Sequence, residues 1–174
     1  YKEAVADYEA ILKDYPTSLM VPEAQFRLGY LHFILGEYDK SLGYLKKILG
    51  PPASAEIQEL AASMIPQVLA GKASQENDPK KQEAAYNQAI REYDNFLKKY
   101  PNSDQAETAN YGRALALYQI GKYGEAATAL RANLQKYAGS ESILDSQYLL
   151  ALVLATEGAQ TLQKTPGAAD GVAK

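Results

Sequence analysis

The chain has 174 residues, 47% of them hydrophobic, and 18 basic against 21 acidic side chains leave a net charge of −3. That length lets a folded form bury about 70% of the surface its unfolded chain exposes, so a packed core is expected. The interspersed charge excludes an electrostatic footprint for nucleic acid or anionic lipid, the lack of cysteine excludes disulfides and thiol chemistry, and the longest apolar run, "YLLALVLA" at 148–155, is too short to span a membrane.

Apolar spacing predicts eight helices, at about 1–14, 20–35, 38–49, 54–71, 79–100, 104–120, 123–137 and 141–163. The first carries Ala4, Tyr8, Ile11 and Leu12 as one stripe. Tyr1 stands where a hairpin's second helix opens, so a covering helix is expected upstream, and the uncovered face is a possible association surface. The second and third helices carry Ala24, Leu28, Leu31 and Leu35, then Leu42, Leu45, Ile48 and Leu49, broken at Gly36 as two helices joined by a tight turn. In the fourth, Pro66 removes a backbone donor and predicts a kink or break. A polar insertion, "GKASQENDPKK" at 71–81, follows; it reads as a solvated loop or as a partner-binding projection, with Asp78-Pro79 opening the long fifth helix. After the eighth helix begins, Gly158 takes the turn position, but Gln160 and Gln163 replace the Tyr and Ala expected beyond it. The array therefore ends near residue 164 or the last helix runs on as a cap, and "TPGAADGVAK" at 165–174 reads as a flexible tail.

The hairpins repeat. A shift of 85 aligns "DYEAILKDYPTS" at 7–18 with "EYDNFLKKYPNS" at 92–103, and continues through Ala24/Ala109, Phe26/Tyr111, Phe33/Tyr118, Gly36/Gly121 and Tyr38/Tyr123. A shift of 37 aligns Tyr86 with Tyr123, Ala89 with Ala126, Tyr111 with Tyr148 and Gly121 with Gly158. The unit is 37 residues, and 85 is two units plus an insertion of 11. Within the "YPxS" element the proline stops one helix, while Ser18, Ser103 and the Pro-less copy's Ser140 are placed to cap the next, a role worth about 1 kcal/mol. Paired helices at such a period signal a solenoid, because no hairpin buries its apolar face alone.

Leu28-Gly29, Gly36, Tyr38, Ser41 and Leu45, with Tyr1, Ala4, Tyr8 and Pro16 and again Tyr86, Ala89, Tyr93 and Pro101, resemble the tetratricopeptide repeat. The resemblance covers residues 1 to about 160 and implies an all-α, right-handed α-solenoid of stacked antiparallel hairpins with about eight helices, spanning 1–164 and beginning with the second helix of a truncated repeat at 1–14. The sequence departs from the pattern at Gln25, Asn110 and Gln147, where a large aromatic is expected, and at Arg113 in a Leu column. The longer linker is similar to bacterial cell-envelope members of the family. The stretch "NDPKKQEAAYNQAIREYDNFLKKYPNSDQAETA" resembles the lipoprotein subunit of the outer-membrane β-barrel assembly machine, which implies a periplasmic or outer-membrane-associated location.

No residue set converges on catalysis. His32, the sole histidine, shares a helical column with Leu117 and Leu154 and reads as a packed helix residue. Glu56 and Glu59 read as a solvated face. No calcium loop, histidine metal pair or phosphate-cradling glycine loop is present, so neither an enzyme nor a cofactor or metal is expected. Twelve of the 14 tyrosines fall in repeat columns and read as architectural. The family resemblance implies that first helices line a concave face. It points to Phe26, Arg27, Tyr30, Phe33 and Ile34, to Tyr111, Leu115, Tyr118 and Gln119, and to Tyr148 and Leu152 as a surface for a protein or peptide. A filled or tightly wound groove is the alternative. For the whole chain the expected role is a non-catalytic interaction scaffold, against a structural spacer, a self-association module or a regulatory segment of a larger protein.

Overall fold

The structure, a computed structural model, describes residues 1–164, and the expected tail at 165–174 lies outside them. Eight helices occupy the described residues: α1 (Lys2–Asp14), α2 (Val21–Ile34), α3 (Tyr38–Lys47), α4 (Ala55–Ser74), α5 (Pro79–Lys99), α6 (Ala106–Gln119), α7 (Tyr123–Lys136) and α8 (Ile143–Lys164). The architecture is all-α and of the repeated-hairpin kind. The chain divides into two compact units, Tyr1–Ala109 and the residues from Asn110 onward.

In the first unit each helix packs on the next, and α2 also reaches α4, which is how stacked hairpins share one core. That core gathers Leu42, Leu45 and Ile48 of α3 with Met64, Ile65 and Val68 of α4, and Phe26, Phe33 and Tyr38 lean on it. A second cluster joins Tyr93 and Phe96 of α5 to Ala109 in the opening turns of α6. The helix pair α2/α3 approaches closely at Gly29, where an added Cβ would lie 2.7 Å from Leu45 Cγ, and Ser41 Oγ donates to the Gly29 carbonyl at 2.7 Å. Helix α1 buries none of its residues fully, and Ala4, Tyr8, Ile11 and Leu12 are half-buried.

Of the kink or break expected at Pro66 the break is absent, and the insertion is more helical than its polarity suggests. Helix α4 runs unbroken through Pro66, which is fully buried. Beside the proline, Ser63 Oγ donates to the Leu60 carbonyl at 2.8 Å and the Gln67 side-chain amide to the Ser63 carbonyl at 3.2 Å. The polar insertion is also largely helical. Helix α4 continues to Ser74, with Ala73 in the core and Gly71 so close to Tyr38 that an added Cβ would sit 2.8 Å from Tyr38 Cε1. Asp78 then caps α5, its Oδ1 accepting from the N–H groups of Lys80 at 2.9 Å and Lys81 at 3.1 Å. Only a short connection between Gln75 and Asp78 is left as loop.

The "YPxS" linkers hold one device three times. A tight turn closes from the Ser18, Ser103 or Ser140 N–H to the carbonyl of Tyr15, Tyr100 or Tyr137, and a second closes from Val21, Ala106 or Ile143 back to the serine carbonyl. Each serine Oγ accepts the N–H two residues on, at Met20 (3.1 Å), Gln105 (3.0 Å) and Ser142 (3.2 Å). The serines therefore cap the second turn rather than the helix itself. For α2 the N-cap residue is Met20, which makes no side-chain cap bond, because the interposed turn moves the helix start downstream.

At the hairpin turns Gly36 and Gly121 adopt φ +73° and +75°, a left-handed conformation that costs an L side chain about 1–2 kcal/mol. An aromatic pair brackets each turn: Phe33 and Tyr38 with ring centroids 6.0 Å apart, Tyr118 and Tyr123 at 5.6 Å. In the third copy these positions hold Ala155 and Gln160, and α8 passes through Gly158 as continuous helix. Gly36→Ala and Gly158→Ala should therefore move stability in opposite directions. The first should lower it by about 1–2 kcal/mol, and the second should raise it by up to about 1 kcal/mol, both read from urea unfolding midpoints.

Candidate functional site

The first-helix columns supply the candidate surface, and each unit presents its own share. On α2, Arg27, Tyr30 and Ile34 are exposed at spacings of three and four residues, so they form one stripe. Phe26 and Phe33 are half-buried against the core beneath it. The Arg27 guanidinium is committed: Nε donates to Glu23 Oε1 at 2.7 Å, and the group lies 5.9 Å from the Phe26 ring centroid. Its charge is thus balanced within the stripe.

In the second unit Tyr111, Leu115 and Tyr118 of α6 are half-buried and Gln119 is exposed, while Tyr148 and Leu152 of α8 are exposed. Tyr118 Oη lies 3.4 Å from Thr156 Oγ1, linking α6 to α8. Burial, followed by the negative charge of Asp145, pushes the Tyr111 hydroxyl pKa up, so it stays a neutral donor near neutral pH. Helices α7 and α8 are joined internally by Leu130, Leu149 and Val153 and by a buried bond from Asn133 Nδ2 to Ser146 Oγ at 3.0 Å.

A polar network that the sequence reading did not assemble lies at the α2/α3 turn. His32 is 3% exposed, and its Nδ1 lies 2.7 Å from Glu37 Oε2, while its main-chain carbonyl accepts the Glu37 N–H at 2.8 Å. Its ring stacks on Tyr44 with centroids 5.5 Å apart and planes 2° from parallel, and Tyr44 Oη donates to Glu9 Oε1 of α1 at 3.4 Å. Lys40 Nζ donates to the same Glu37 oxygen at 3.0 Å. A glutamate five residues after the histidine, just beyond the turn glycine, was the available signal. The arrangement ties three helices together and opens on none of the larger clefts, so it reads as structural.

Of those clefts, one of about 480 Å³ in the first unit is bordered by Asp39, Lys46, Lys72 and Glu76, with Lys72 Nζ paired to Asp39 Oδ1. A smaller, more apolar one of about 170 Å³ lies between Leu49, Ile65, Phe96 and Tyr100. In the second unit a cleft of about 430 Å³ lies among Lys122, Tyr123, Glu125 and Glu157. Each mixes charges already paired or solvated, and none assembles a nucleophile with a base. Among the described residues no helix is long and apolar enough to cross a membrane.

The α2/α3 and α6/α7 hairpins turn at left-handed glycines and are preceded by Tyr-x-x-Ser turns, an arrangement of the tetratricopeptide kind, and residues 1–56 match the tetratricopeptide repeat family. Residues 70–171, more than half of the chain, match the family described as YfiO, outer membrane lipoprotein, and the chain belongs to that family. No curated protein matches it in sequence.

The Lys40 hydrogen bond first, and the His32 contact second, hold the Glu37 carboxyl below its ordinary range. A depressed folded-state value means that the contribution is complete above about pH 4.3, the unfolded carboxylate value, and is lost as pH falls through the lower folded value. Glu37→Gln should therefore flatten the acid limb of the stability profile. Urea midpoints compared between neutral pH and about pH 3 should fall less in the variant than in the parent chain.

Proposed function

We propose that this protein is a non-catalytic docking scaffold of the bacterial cell envelope, taking a partner protein or peptide on its first-helix columns and serving outer-membrane protein assembly. The observation that carries this reading is the α2 stripe, where Arg27, Tyr30 and Ile34 are exposed over Phe26 and Phe33 in a member of an outer membrane lipoprotein family. Exposed aromatic and aliphatic side chains backed by a packed layer are what a docking surface needs, because anchors then bind without first being ordered. The neutralised Arg27 fits a partner that is apolar with polar edges better than a strongly acidic one. On this reading Tyr111, Leu115, Tyr118 and Gln119 of α6, with Tyr148 and Leu152 of α8, form the second unit's share of the surface.

A photo-crosslinking amino acid at position 30 should capture an envelope protein in cells, and the same group at exposed Lys47, in the last turn of α3, should not. In a chain that keeps its helical signal and melting temperature, Tyr30→Ala with Ile34→Ala should weaken that partner's binding by about tenfold or more. Equal capture from both positions, or binding unchanged in the folded double variant, would remove the docking reading.

A further inference from the structure

Helices α3 and α5 both pack on α4 but not on each other, so a groove floored by α4 runs between them. The two clefts of the first unit are its two ends. From one to the other the α3 wall passes through Leu42, Lys46 and Leu49, and the α5 wall through Gln88, Glu92 and Asn95. Each set is spaced by four and then three residues, so one face of each helix lines both clefts. The polar insertion raises one wall. Tyr86 of α5 is the repeat equivalent of Tyr38, which opens α3, yet α5 begins at Pro79, about two turns earlier.

The apolar end of the groove is shaped for a single side chain. Leu49, 41% exposed, closes with Ile65, Phe96 and Tyr100 around about 170 Å³, well below the size of a site for a whole small molecule. The Phe96 and Tyr100 rings stand tilted with centroids 5.4 Å apart, an arrangement against which a third ring packs favourably. Beside this cavity the walls carry opposite charges. Lys46 on α3 has no ion pair or hydrogen bond among the described residues, and Glu92 on α5 accepts only from Asn95 Nδ2 of its own helix, at 3.3 Å. The charges around them are committed. Lys72 pairs with Asp39, Glu76 Oε1 accepts the Asn77 and Asp78 N–H groups at 2.9 and 3.0 Å, and Lys99 Nζ lies over the Tyr100 ring at 5.0 Å. Because α3 and α5 do not meet, Lys46 and Glu92 do not neutralise each other. The groove thus lacks an anion on its α3 side, a cation on its α5 side and a ring between them.

We infer that the groove between α3 and α5 is a second docking site, taking a segment of a partner protein in which an aromatic residue lies between an acidic and a basic one. The ring enters the Leu49/Phe96 cavity, the acid meets Lys46 and the base meets Glu92. With one buried anchor and two solvent-screened charge contacts, the interaction is weak and reversible. It uses none of the first-helix residues assigned to the docking surface, and so goes beyond that reading.

The test titrates the 174-residue chain, followed by its amide NMR signals, with the amidated peptide acetyl-Gly-Glu-Gly-Phe-Gly-Lys-Gly. Saturable shifts should gather on α3, α4 and α5, with a dissociation constant of about 1 mM or tighter. Alanine in place of the peptide's phenylalanine should weaken binding about tenfold or more, as should Ala62→Phe, which fills the cavity from its floor. Leu49→Ala removes only an exposed wall, keeps the test open if Ala62→Phe loses its fold, and should weaken binding about threefold or more. Lys46→Glu leaves both walls acidic. It should weaken this peptide about threefold and strengthen, by a similar factor, one with lysine in place of glutamate. Absence of saturable shifts at millimolar peptide overturns the inference, as do shifts centred on other helices or affinities indifferent to Leu49→Ala or Lys46→Glu. Tyr30→Ala with Ile34→Ala should leave the peptide's affinity unchanged, so this site and docking on α2 fail or stand separately.

Discussion

Reversing a helix within three residues is the constraint on which this architecture depends. Gly36 and Gly121 supply the left-handed backbone that the reversal needs, and an aromatic ring on either side of each turn fixes the angle at which the second helix returns. Once that angle is set, Gly29 can let Leu45 approach its backbone, Ser41 can reach the Gly29 carbonyl, and the next hairpin finds a continuous apolar wall. Where the rings are missing, at Ala155 and Gln160, the glycine alone does not turn the chain. Gly158 stays in the helix, and α8 becomes long and two-faced. The presence of the aromatic pair therefore separates a turned hairpin from an unturned helix more sharply than the glycine does.

Much of this was legible in the residues. All eight helices lie within three residues of where apolar periodicity put their ends, because a repeat aligned against itself gives each column several independent readings. The errors fall where one column carries two roles. The serines of the linkers resemble helix caps in sequence, yet they close a turn placed before the helix, which spacing alone cannot distinguish. The insertion looked like a loop because it is polar, but polarity marks only an outer face. Ala73 and Gly71, the two small residues on its inner side, let α4 continue against Tyr38. Among the surface columns, spacing put Arg27, Tyr30 and Ile34 on one stripe. It could not show that Glu23 neutralises the arginine, since that depends on rotamers.

His32 shows how one column can be solved in two ways. In the second unit the same position is Leu117, fully buried, and the position of Tyr44 is Ala129. The first unit replaces that small apolar pair with stacked rings, and then ties the imidazole to Glu37 and the phenol to Glu9. Of this network only the imidazole is buried, at 3% exposure, and its partners Glu37, Lys40 and Glu9 are exposed, so a displaced helix would strand the buried ring while the carboxylates returned to water. The first hairpin, whose preceding helix α1 has no fully buried residue, is where such a device for register contributes most.

The tandem turns of the linkers bear on how such an array can diverge. Tyr137, Ala138, Gly139 and Ser140 form the same two turns as the proline-bearing copies, with hydrogen bonds of the same lengths within a few tenths of an ångström. The geometry thus resides in the tyrosine carbonyl and the serine, and the proline contributes stiffness only. Linkers built this way can exchange a rigid joint for a pliant one by a single substitution without altering the path of the chain, which lets the compliance of successive joints drift independently of the surfaces they connect.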